Sequence, residues 1–423
     1  MKVFKFGGAS VKNADAVKNV AAILRRFSKD NLLVVVSAMG KMTNAHEKLL
    51  NSFFNKRDTL KQDFDAIRNY HLEILHQLFS DHSHPVFNDT EILLNELKEY
   101  IEKEPSDNYD FEYGQIVPYG ELLSTLLVSS YLNETGINTK LYDARDLIIT
   151  NNHYREAEVD WDLTGQNIQD KVLPYLSVKL KGKIALTQGF IGSTDDYHFT
   201  TLGREGSDYT AAIFAYFLDA EEMVIWKDVP GLLNADPKYF DDTIKLDSIS
   251  YTEAIELSYY GATIIHPKTI KPLENKNITL YVKSFLKPDD NGSVIHEIME
   301  ADSLIPSFIF KEEQVLLSIS PRDFSFICEK NLSYIFCEFA KAEVKVNMMQ
   351  NSAISFTVCM DYDEHKFTLL ITDLQRDYKV SYNKGLELIT IRHYNSETLK
   401  KILKNKFVLL EQRSRNTAQF VVR

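Results

Sequence analysis

The sequence predicts an α/β protein, with a three-layer α/β/α domain built on a mostly parallel sheet and a smaller α+β region after it. Three observations support this prediction. The chain opens with a strand, a glycine turn, a helix and a second strand; strands and helices alternate again from about residue 183; and short β-like segments dominate beyond residue 300. Strand–helix–strand units join parallel strands and cover a sheet with helices on both faces.

The opening unit lies within the first 36 residues. Val3–Phe6 is a short apolar strand, Gly7 and Gly8 form the turn, and Asn13–Phe27 places apolar residues at helical spacing. Leu32–Val36 is a continuous apolar run, which is typical of a strand covered on both faces. We therefore expect these two strands to be parallel neighbours in the centre of a sheet.

A charged stretch with helical periodicity and few glycines follows, from about residue 45 to residue 110. It predicts a helical insert or lid beside the sheet. Further along, Lys183–Leu186, Glu222–Trp226 and Ile278–Val282 are predicted strands. Asp208–Leu218 is a predicted helix that a Ser-Asp pair would cap.

The character of the sequence changes near residue 300, where residues 297–306 resemble a connector. Beyond it, β-like and helical segments follow a strand–helix–strand–strand order that occurs twice in weak form. We therefore predict one domain over residues 1–300 and a second over residues 301–423. The predicted strands of the second are Val315–Ile319, Ile354–Val358, Leu386–Ile391 and Phe420–Val422, and its helices are Leu332–Lys341, Phe367–Asp373 and Glu397–Asn405.

The composition excludes several classes of protein. A length of 423 residues exceeds one average domain, and a net charge of −12 argues against nucleic-acid binding, which usually needs a basic surface. No window approaches about 18 uninterrupted apolar residues, and no secretory signal precedes the first strand. Cys328, Cys337 and Cys359 show no CxxC spacing, which is typical of a reducing compartment. We expect a cytoplasmic protein without nucleic-acid or membrane partners.

Two clusters of glycine and charged residues could bind anions. Lys5 precedes Gly7 and Gly8 at the end of the first strand, where glycines admit a phosphate close to the backbone and a helix N-terminus favours it; a plain strand-to-helix turn is the alternative. In the second cluster Arg204 stands between two glycines and could bind a carboxylate through two parallel hydrogen bonds. Asp208, which follows, could carry chemistry or merely cap the helix.

A third cluster, residues 226–238, begins where a predicted strand ends in polar residues and a Pro-Gly turn. In an open α/β sheet ligands bind at such strand ends. Neither GxxxxGK[ST] nor GxGxxG occurs in the chain, so P-loop and Rossmann interpretations lack their usual support.

Seven motifs together resemble the aspartate kinases of the amino-acid kinase superfamily and follow that family's order. The resemblance covers about residues 1 to 295, and beyond it the chain is similar, more weakly, to ACT-type regulatory domains. The motifs are KFGGAS at 5–10, SAMGKMTN at 37–44, GELLST at 120–125, TQGFIG at 187–192, TTLGREGSDYTAA at 200–212, WKDVPGLLNADPK at 226–238 and YGATIIHP at 260–267.

The resemblance implies an amino-acid kinase domain that converts ATP and L-aspartate to ADP and 4-phospho-L-aspartate, the first step towards lysine, threonine and methionine. A carboxylate nucleophile is already ionised at neutral pH, so no general base is required. Mg²⁺ would be carried chiefly by the ATP phosphates. By position in the motifs, the catalytic residues would be Lys5 and Asp208; the aspartate-binding residues Thr43, Glu121, Phe190, Arg204 and Ser207; and the ATP-binding residues Gly7, Gly8, Ser10, Lys227, Asp228, Asp236, Lys238 and Thr263.

The chain departs from the family pattern at three positions. Glu205 replaces a glycine, and if that position needs a positive φ or a close approach to phosphate, its side chain would interfere unless it points outward. Thr263 replaces a lysine that contacts ATP phosphates, and Lys238 stands where many relatives carry arginine. These departures affect the expected details of ATP binding more than the reaction class.

The ACT-like region, residues 301–423, is expected to pair two copies of the chain into a homodimer. It could bind lysine or threonine as an effector, with Asn347, Asn351 and Ser352 as candidate contacts, or it could serve only for dimerisation. No dinucleotide-binding domain follows, which favours a monofunctional kinase over a fusion with homoserine dehydrogenase. Two alternatives stay open: a kinase of another substrate such as glutamate, N-acetylglutamate or a nucleotide, and a catalytically impaired amino-acid sensor.

Overall fold

The computed structural model describes residues 1–177, 182–240, 242–262, 265–300, 302, 305–323 and 325–423. The chain forms two compact units. The first comprises Met1–Leu232, Lys245–Ile255 and Ile264–Met299, and the second comprises Leu233–Ile244, Glu256–Thr263 and Glu300–Arg423. The second unit thus includes two segments that precede the boundary predicted near residue 300.

The secondary structure alternates through the first unit and becomes mainly β in the second. The strands are β1 (Lys2–Phe6), β2 (Leu32–Val36), β3 (Thr139–Tyr142), β4 (Ile184–Gln188), β5 (Ile191–Ser193), β6 (Phe199–Thr201), β7 (Glu222–Lys227), β8 (Leu232–Leu233), β9 (Lys245–Leu246), β10 (Ser248–Ser250), β11 (Thr279–Ser284), β12 (Ser293–His296), β13 (Ser307–Pro321), β14 (Val346–Asn351), β15 (Phe356–Asp361), β16 (Tyr378–Arg392), β17 (Val408–Arg413) and β18 (Thr417–Val422). The α-helices are α1 (Ala14–Arg26), α2 (Met42–Phe54), α3 (Leu60–Leu78), α4 (Pro85–Ile101), α5 (Tyr109–Ile116), α6 (Tyr119–Glu134), α7 (Trp161–Asn167), α8 (Leu173–Leu176), α9 (Gly206–Phe217), α10 (Tyr251–Tyr260), α11 (Pro267–Asn275), α12 (Glu329–Lys341), α13 (Glu364–Asp377) and α14 (Ser396–Ile402). Within the described ranges, none of these helices has both the length and the apolar character needed to cross a membrane.

The first unit is built on an eight-stranded sheet in the order β10-β12-β11-β7-β1-β2-β4-β3. From β11 to β3 all neighbours are parallel, whereas β12 runs antiparallel to β11. The predicted parallel sheet is therefore confirmed. Phe6 pairs with both Val36 and Trp226, and Val36 pairs with Gln188. The carboxyl ends of β7, β1, β2 and β4 consequently meet at one edge, which is where open α/β sheets bind ligands.

The centre of this sheet is held by continuous apolar burial. Every residue of β2 is fully buried, as expected for a strand covered on both faces. On β7 the Trp226 ring stacks on Phe6 with ring centroids 6.0 Å apart and is itself fully buried. Helix α1 begins where the Asn13 side chain accepts a hydrogen bond from the Ala16 N–H, and it buries its apolar stripe against the sheet.

Two histidines are completely buried within the helical layer, His46 on α2 and His71 on α3. Their ring centroids lie 6.5 Å apart, and each Nδ1 lies 2.8 Å from the carbonyl oxygen of the residue four positions earlier. Neither Nε2 has a hydrogen-bond partner among the described residues. Burial lowers the pKa of His46 to about 3 and that of His71 to about 4. Both imidazoles are therefore neutral at physiological pH.

The second unit contains a six-stranded antiparallel sheet in the order β14-β15-β13-β16-β18-β17. Its elements follow each other as β13-α12-β14-β15, then α13, then β16-α14-β17-β18. The strand–helix–strand–strand order that the sequence suggested therefore occurs twice. The segment Leu233–Ile244 belongs to this unit. Asn234 donates to the Pro306 carbonyl at 2.9 Å, and the Phe240 ring packs on Phe308 and Phe310.

Candidate active site

A cleft of about 580 Å³ opens at the carboxyl edge of the central strands. All the residues that line it belong to the first unit and come from the strand ends, from α2, α5 and α6, and from the loops before α7 and α9. The lining residues are Lys5, Gly8, Ser37, Ala38, Gly40, Thr43, Glu47, Tyr113, Glu121, Arg155, Glu156, Phe190, Gly203, Arg204, Glu205, Gly206, Ser207, Asp208 and Lys227.

The base of the cleft contains a buried ion pair. Lys5, at the end of β1, places Nζ 2.6 Å from Oδ1 of Asp208, in the first turn of α9. The two side chains are only 11% and 4% exposed. A buried pair of this kind fixes both groups, because removing either partner leaves an uncompensated charge. The capping role predicted for Asp208 is wrong: residue 205 occupies the N-cap position, no side chain caps the helix, and Asp208 pairs with Lys5.

Glu121, in the first turn of α6, is a buried carboxylate with one oxygen unsatisfied. It is 2% exposed, and Oε1 accepts a hydrogen bond of 3.3 Å from the Ala38 N–H. Oε2 has no partner among the described residues. Burial outweighs the backbone hydrogen bonds and raises the pKa of Glu121 to about 8. A buried carboxylate with one oxygen open towards a cleft is suited to bind a cationic group of a ligand.

Two glycines allow α9 to approach the end of β4 closely. A Cβ on Gly189 would lie 2.6 Å from the Ser207 Cβ, and one on Gly206 would lie 2.7 Å from the Phe190 ring. Phe190 itself has a φ of 72°, and its N–H donates to Thr210 Oγ1 at 3.0 Å. This packing brings the N-terminus of α9 into the cleft, where the helix dipole favours an anion.

Glu205 occupies the glycine position of the motif without obstructing the cleft. Its backbone lies in the left-handed region, with φ 54° and ψ 27°, so the position does require a positive φ. Its carboxylate Oε2 accepts a hydrogen bond of 2.7 Å from the N–H of His266, just before α11. This bond ties the loop before α9 to the start of α11. The neighbouring Arg204 is exposed and forms no ion pair with a described residue.

Four lining residues lie outside all seven motifs and were not identified from the sequence: Glu47, Tyr113, Arg155 and Glu156. The Tyr113 hydroxyl donates to Glu47 Oε1 at 2.8 Å, and the Arg155 guanidinium lies 4.8 Å from the centre of the Tyr113 ring. Arg155 adds a second arginine to the cleft. No local motif marks these residues, because they come from helices and a loop far apart in sequence, so only the folded chain brings them together.

The other residues predicted to bind substrate or nucleotide are distributed as follows. Thr43, Ser207, Gly8 and Lys227 line the cleft. Gly8 is needed because a Cβ there would lie 2.7 Å from the Gly40 carbonyl oxygen, so it serves the packing of the two loops.

Gly7, Ser10 and Asp228 are not among the lining residues. Ser10 is completely buried, and its hydroxyl donates to the Trp226 carbonyl at 3.1 Å. Asp228 is exposed, directly after β7. Asp236 and Lys238 belong to the second unit, where Asp236 accepts a hydrogen bond from the Lys238 N–H and Lys238 Nζ lies 3.6 Å from Glu312. Thr263 lies outside the described residues.

The candidate effector residues lie on or directly after β14. Asn347 is engaged on both sides: its Oδ1 accepts from Lys311, and its Nδ2 donates to Gln314 and Asp361, at 2.8 to 2.9 Å. Asn351 and Ser352 are exposed. Ser352 donates through its hydroxyl to the Ser355 carbonyl at 3.0 Å.

Comparison with known proteins places the cleft in context. The amino acid kinase family matches residues 1–284. Lysine-sensitive aspartokinase 3 of Escherichia coli (strain K12) is 30% identical over 398 residues, which are 92% of this chain and 86% of that protein. Aspartokinase 3, chloroplastic, of Arabidopsis thaliana is 29% identical over 414 residues, which are 92% of this chain and 71% of that protein.

Solved structures agree. E. coli aspartokinase III in complex with aspartate and ADP (R-state) is similar with a TM-score of 0.84 at 27% identity, covering 100% of this chain and 96% of that chain. The same enzyme in complex with lysine and aspartate (T-state) gives a TM-score of 0.81 at 27% identity and the same coverage.

Proposed function

Because the chain belongs to the amino acid kinase family and, within it, to the aspartokinases, we propose that it transfers the γ-phosphoryl group of ATP to the side-chain carboxylate of L-aspartate. One observation supports this assignment best. A single cleft holds a buried carboxylate with one oxygen unsatisfied (Glu121), an arginine that forms no ion pair with the described residues (Arg204) and a lysine at the end of β1 that pairs with the first turn of α9 (Lys5). These groups complement, in turn, an ammonium, an α-carboxylate and a transferring phosphoryl group.

Aspartate binding follows from the charges in the cleft. The ammonium of the substrate would satisfy Glu121 Oε2 and so favour the ionised form of this carboxylate. Arg204 would hold the α-carboxylate through a bidentate pair, and Thr43 would orient the substrate. The side-chain carboxylate is then left facing Lys5 and the N-terminus of α9.

The transfer itself needs positioning and charge neutralisation more than proton movement. A carboxylate oxygen of aspartate forms the new bond to the γ-phosphorus while the bond from that phosphorus to the bridging oxygen of ADP breaks, and ADP leaves. Lys5 would stabilise the charge that spreads over the phosphoryl oxygens. Asp208 would keep the Lys5 ammonium in place through their 2.6 Å contact.

ATP and Mg²⁺ are required by this reaction. The residues described in the structure hold no group of three or more histidine, cysteine or acidic side chains that could bind a metal ion. We expect Mg²⁺ to be held mainly by the nucleotide phosphates and to neutralise their charge. Lys227, at the end of β7, and the N-terminus of α9 with its positive dipole end are the parts of the cleft that would meet the phosphates.

The alternative of an impaired sensor finds little support in the cleft. Lys5, Glu121, Arg204 and Asp208 all line it, and Glu205, one of the two departures that favoured a sensor, binds the His266 N–H instead of blocking the site.

The reaction is tested by an ATP- and Mg²⁺-dependent hydroxamate assay with aspartate, glutamate and N-acetylglutamate. We expect turnover with aspartate alone. Arg204→Ala should raise the KM for aspartate by about 10- to 100-fold, the loss of a charge-assisted pair, and leave the KM for ATP nearly unchanged. Turnover with glutamate instead, or a variant that weakens ATP and not aspartate, would contradict the assignment of the pocket.

For the second unit we propose homodimerisation and feedback regulation, with lysine or threonine as effector. Strands β14 and β17 form the edges of its sheet, and an edge strand offers unpaired backbone groups to a second copy. Both Nδ2 hydrogens of Asn347 are used by Gln314 and Asp361, so donating to an effector would require one of these bonds to break, whereas Oδ1 can accept a second hydrogen bond. Light scattering with and without each amino acid, together with inhibition assays, tests both parts; a monomer that neither amino acid inhibits would refute them.

A further inference from the structure

The first unit contains a second cavity, of about 450 Å³, that shares no residue with the catalytic cleft. Residues of α7, α9 and α11 line it. Its walls are largely aromatic: the Trp161 ring meets Tyr216 edge-on, and its centroid lies 5.4 Å from that of Tyr216 and 5.4 Å from that of Phe217. All three rings are only partly buried, although large aromatic side chains gain most from complete burial. The volume falls in the range of small-molecule sites, about 300 to 1,000 Å³.

Three charged side chains border the same cavity. Lys268 and Lys271 lie three residues apart on α11 and therefore share one face of the helix, and Asp162 comes from the first turn of α7. The side chains of these three residues form no ion pair or hydrogen bond with any residue that the structure describes. Two cations and one anion are thus available around a partly open aromatic wall.

We propose that this cavity binds a free aromatic amino acid. The ring would pack against Trp161, the carboxylate would meet Lys268 and Lys271, and the ammonium would meet Asp162. This ligand class uses all three charged groups that line the cavity. A purely apolar ligand would leave three charges partly desolvated without partners, and a polyphosphate would bring negative charge towards Asp162.

The experiment uses the full chain and L-phenylalanine as the probe, because the protein has only two tryptophans to report on it. Trp226 is fully buried in the sheet core, whereas Trp161 lines the cavity. We expect saturable binding by calorimetry and a change in tryptophan fluorescence that Trp161→Phe abolishes. The Lys268→Gln/Lys271→Gln double variant should raise the Kd for L-phenylalanine at least about tenfold.

Matched measurements separate this site from general binding. Lys61→Gln, which removes an exposed lysine of α3, should leave the Kd unchanged, and so should Arg204→Ala, which alters the catalytic cleft. Asp162→Asn should weaken L-phenylalanine but not 3-phenylpropionate, which lacks the ammonium. Absence of saturable binding, or binding that is unaffected by the lysine and aspartate substitutions, would overturn the proposal. Because none of these measurements uses turnover, they stand apart from the test of the kinase reaction.

Discussion

Replacing Glu121 with glutamine should stabilise the first unit at neutral pH and impair aspartate binding. Burial raises the pKa of Glu121 from 4.5 to about 8, so the folded protein resists ionising this group while the unfolded chain does not. The stability that the protonated form provides is complete below pH 4.5 and is lost as the pH rises through 8. Each pKa unit corresponds to about 1.4 kcal/mol. Relative to pH below 4.5, Glu121 therefore lowers the free energy of unfolding by about 3 kcal/mol at pH 7 and by about 5 kcal/mol above pH 8.

Urea unfolding of Glu121→Gln and of the unmodified chain at pH 5, 7 and 8.5 measures this effect. Tryptophan fluorescence is the suitable signal, because Trp161 and Trp226 both belong to the first unit. We expect the free-energy difference between variant and wild type to be small at pH 5 and to grow to about 3 kcal/mol at pH 7. Glu156→Gln, which removes an exposed carboxylate of the same cleft, is the matched control and should change stability little at any pH.

The same variant should bind aspartate more weakly, because glutamine offers no charge to the substrate ammonium. An increase of about 10- to 100-fold in the KM for aspartate corresponds to the loss of one charge-assisted hydrogen bond. In the unmodified enzyme the KM for aspartate should fall as the pH rises from 6.5 to 8, since ionised Glu121 becomes available. If the difference in unfolding free energy between Glu121→Gln and the wild type is the same at all three pH values, Glu121 is not the buried, protonated group that the structure indicates.

Lys5→Met should lower kcat at least about 100-fold, because it removes a positive charge that stabilises the transition state. It should also lower the free energy of unfolding by about 3 kcal/mol, because Asp208 is left buried and unpaired. Lys5→Met/Asp208→Asn should regain stability but not turnover in the same two assays; regained activity would exclude the role given to Lys5. Glu205→Gly should relieve about 1 kcal/mol of left-handed backbone strain but lose the hydrogen bond to the His266 N–H. Its KM for ATP, measured by steady-state kinetics, should therefore rise. Glu205→Gln keeps a hydrogen-bond acceptor and should behave like the wild type. An equal KM in both variants would show that this tie is dispensable. Burial lowers the pKa of His71 to about 4, so the free energy of unfolding should fall as the pH drops from 6.5 towards 4. Between pH 7 and pH 5, His71→Phe should lose about 2 kcal/mol less of this free energy than the wild type in urea titrations. Equal losses in the two proteins would contradict the burial of His71 as a neutral imidazole.

Much of the first unit was predictable because its signals are local. The apolar run Leu32–Val36 is a strand with the predicted bounds, and the glycine turn after β1 leads into α1 as expected. The seven motifs predicted an aspartate kinase, and the match to the aspartokinases confirms it. The helix predicted to start at Asp208 begins two residues earlier, at Gly206, because Glu205 takes the N-cap position.

The rest of the site depends on contacts between distant residues. Glu205 finds its partner 61 residues away, so neither its left-handed backbone nor the direction of its side chain can be derived from the motif alone. Arg155 and Tyr113 reach the cleft from a loop and a helix without any recognisable spacing. In the second unit the strand predicted at Ile354–Val358 is found at Phe356–Asp361, since pairing with β13 sets its register rather than local β propensity.

The interleaving of the two units limits how this chain can be exchanged or shortened. The backbone passes between the units five times, at residues 232/233, 244/245, 255/256, 263/264 and 299/300. A chimera joined at residue 300 would lose the hydrogen bond from Asn234 to the Pro306 carbonyl and the packing of the Phe240 ring on Phe308 and Phe310. A single recombination event therefore cannot replace the second unit with that of a relative. A viable chimera must take the segments 233–244 and 256–263 from the same protein as residues 300–423. We therefore expect these three segments to change together in evolution.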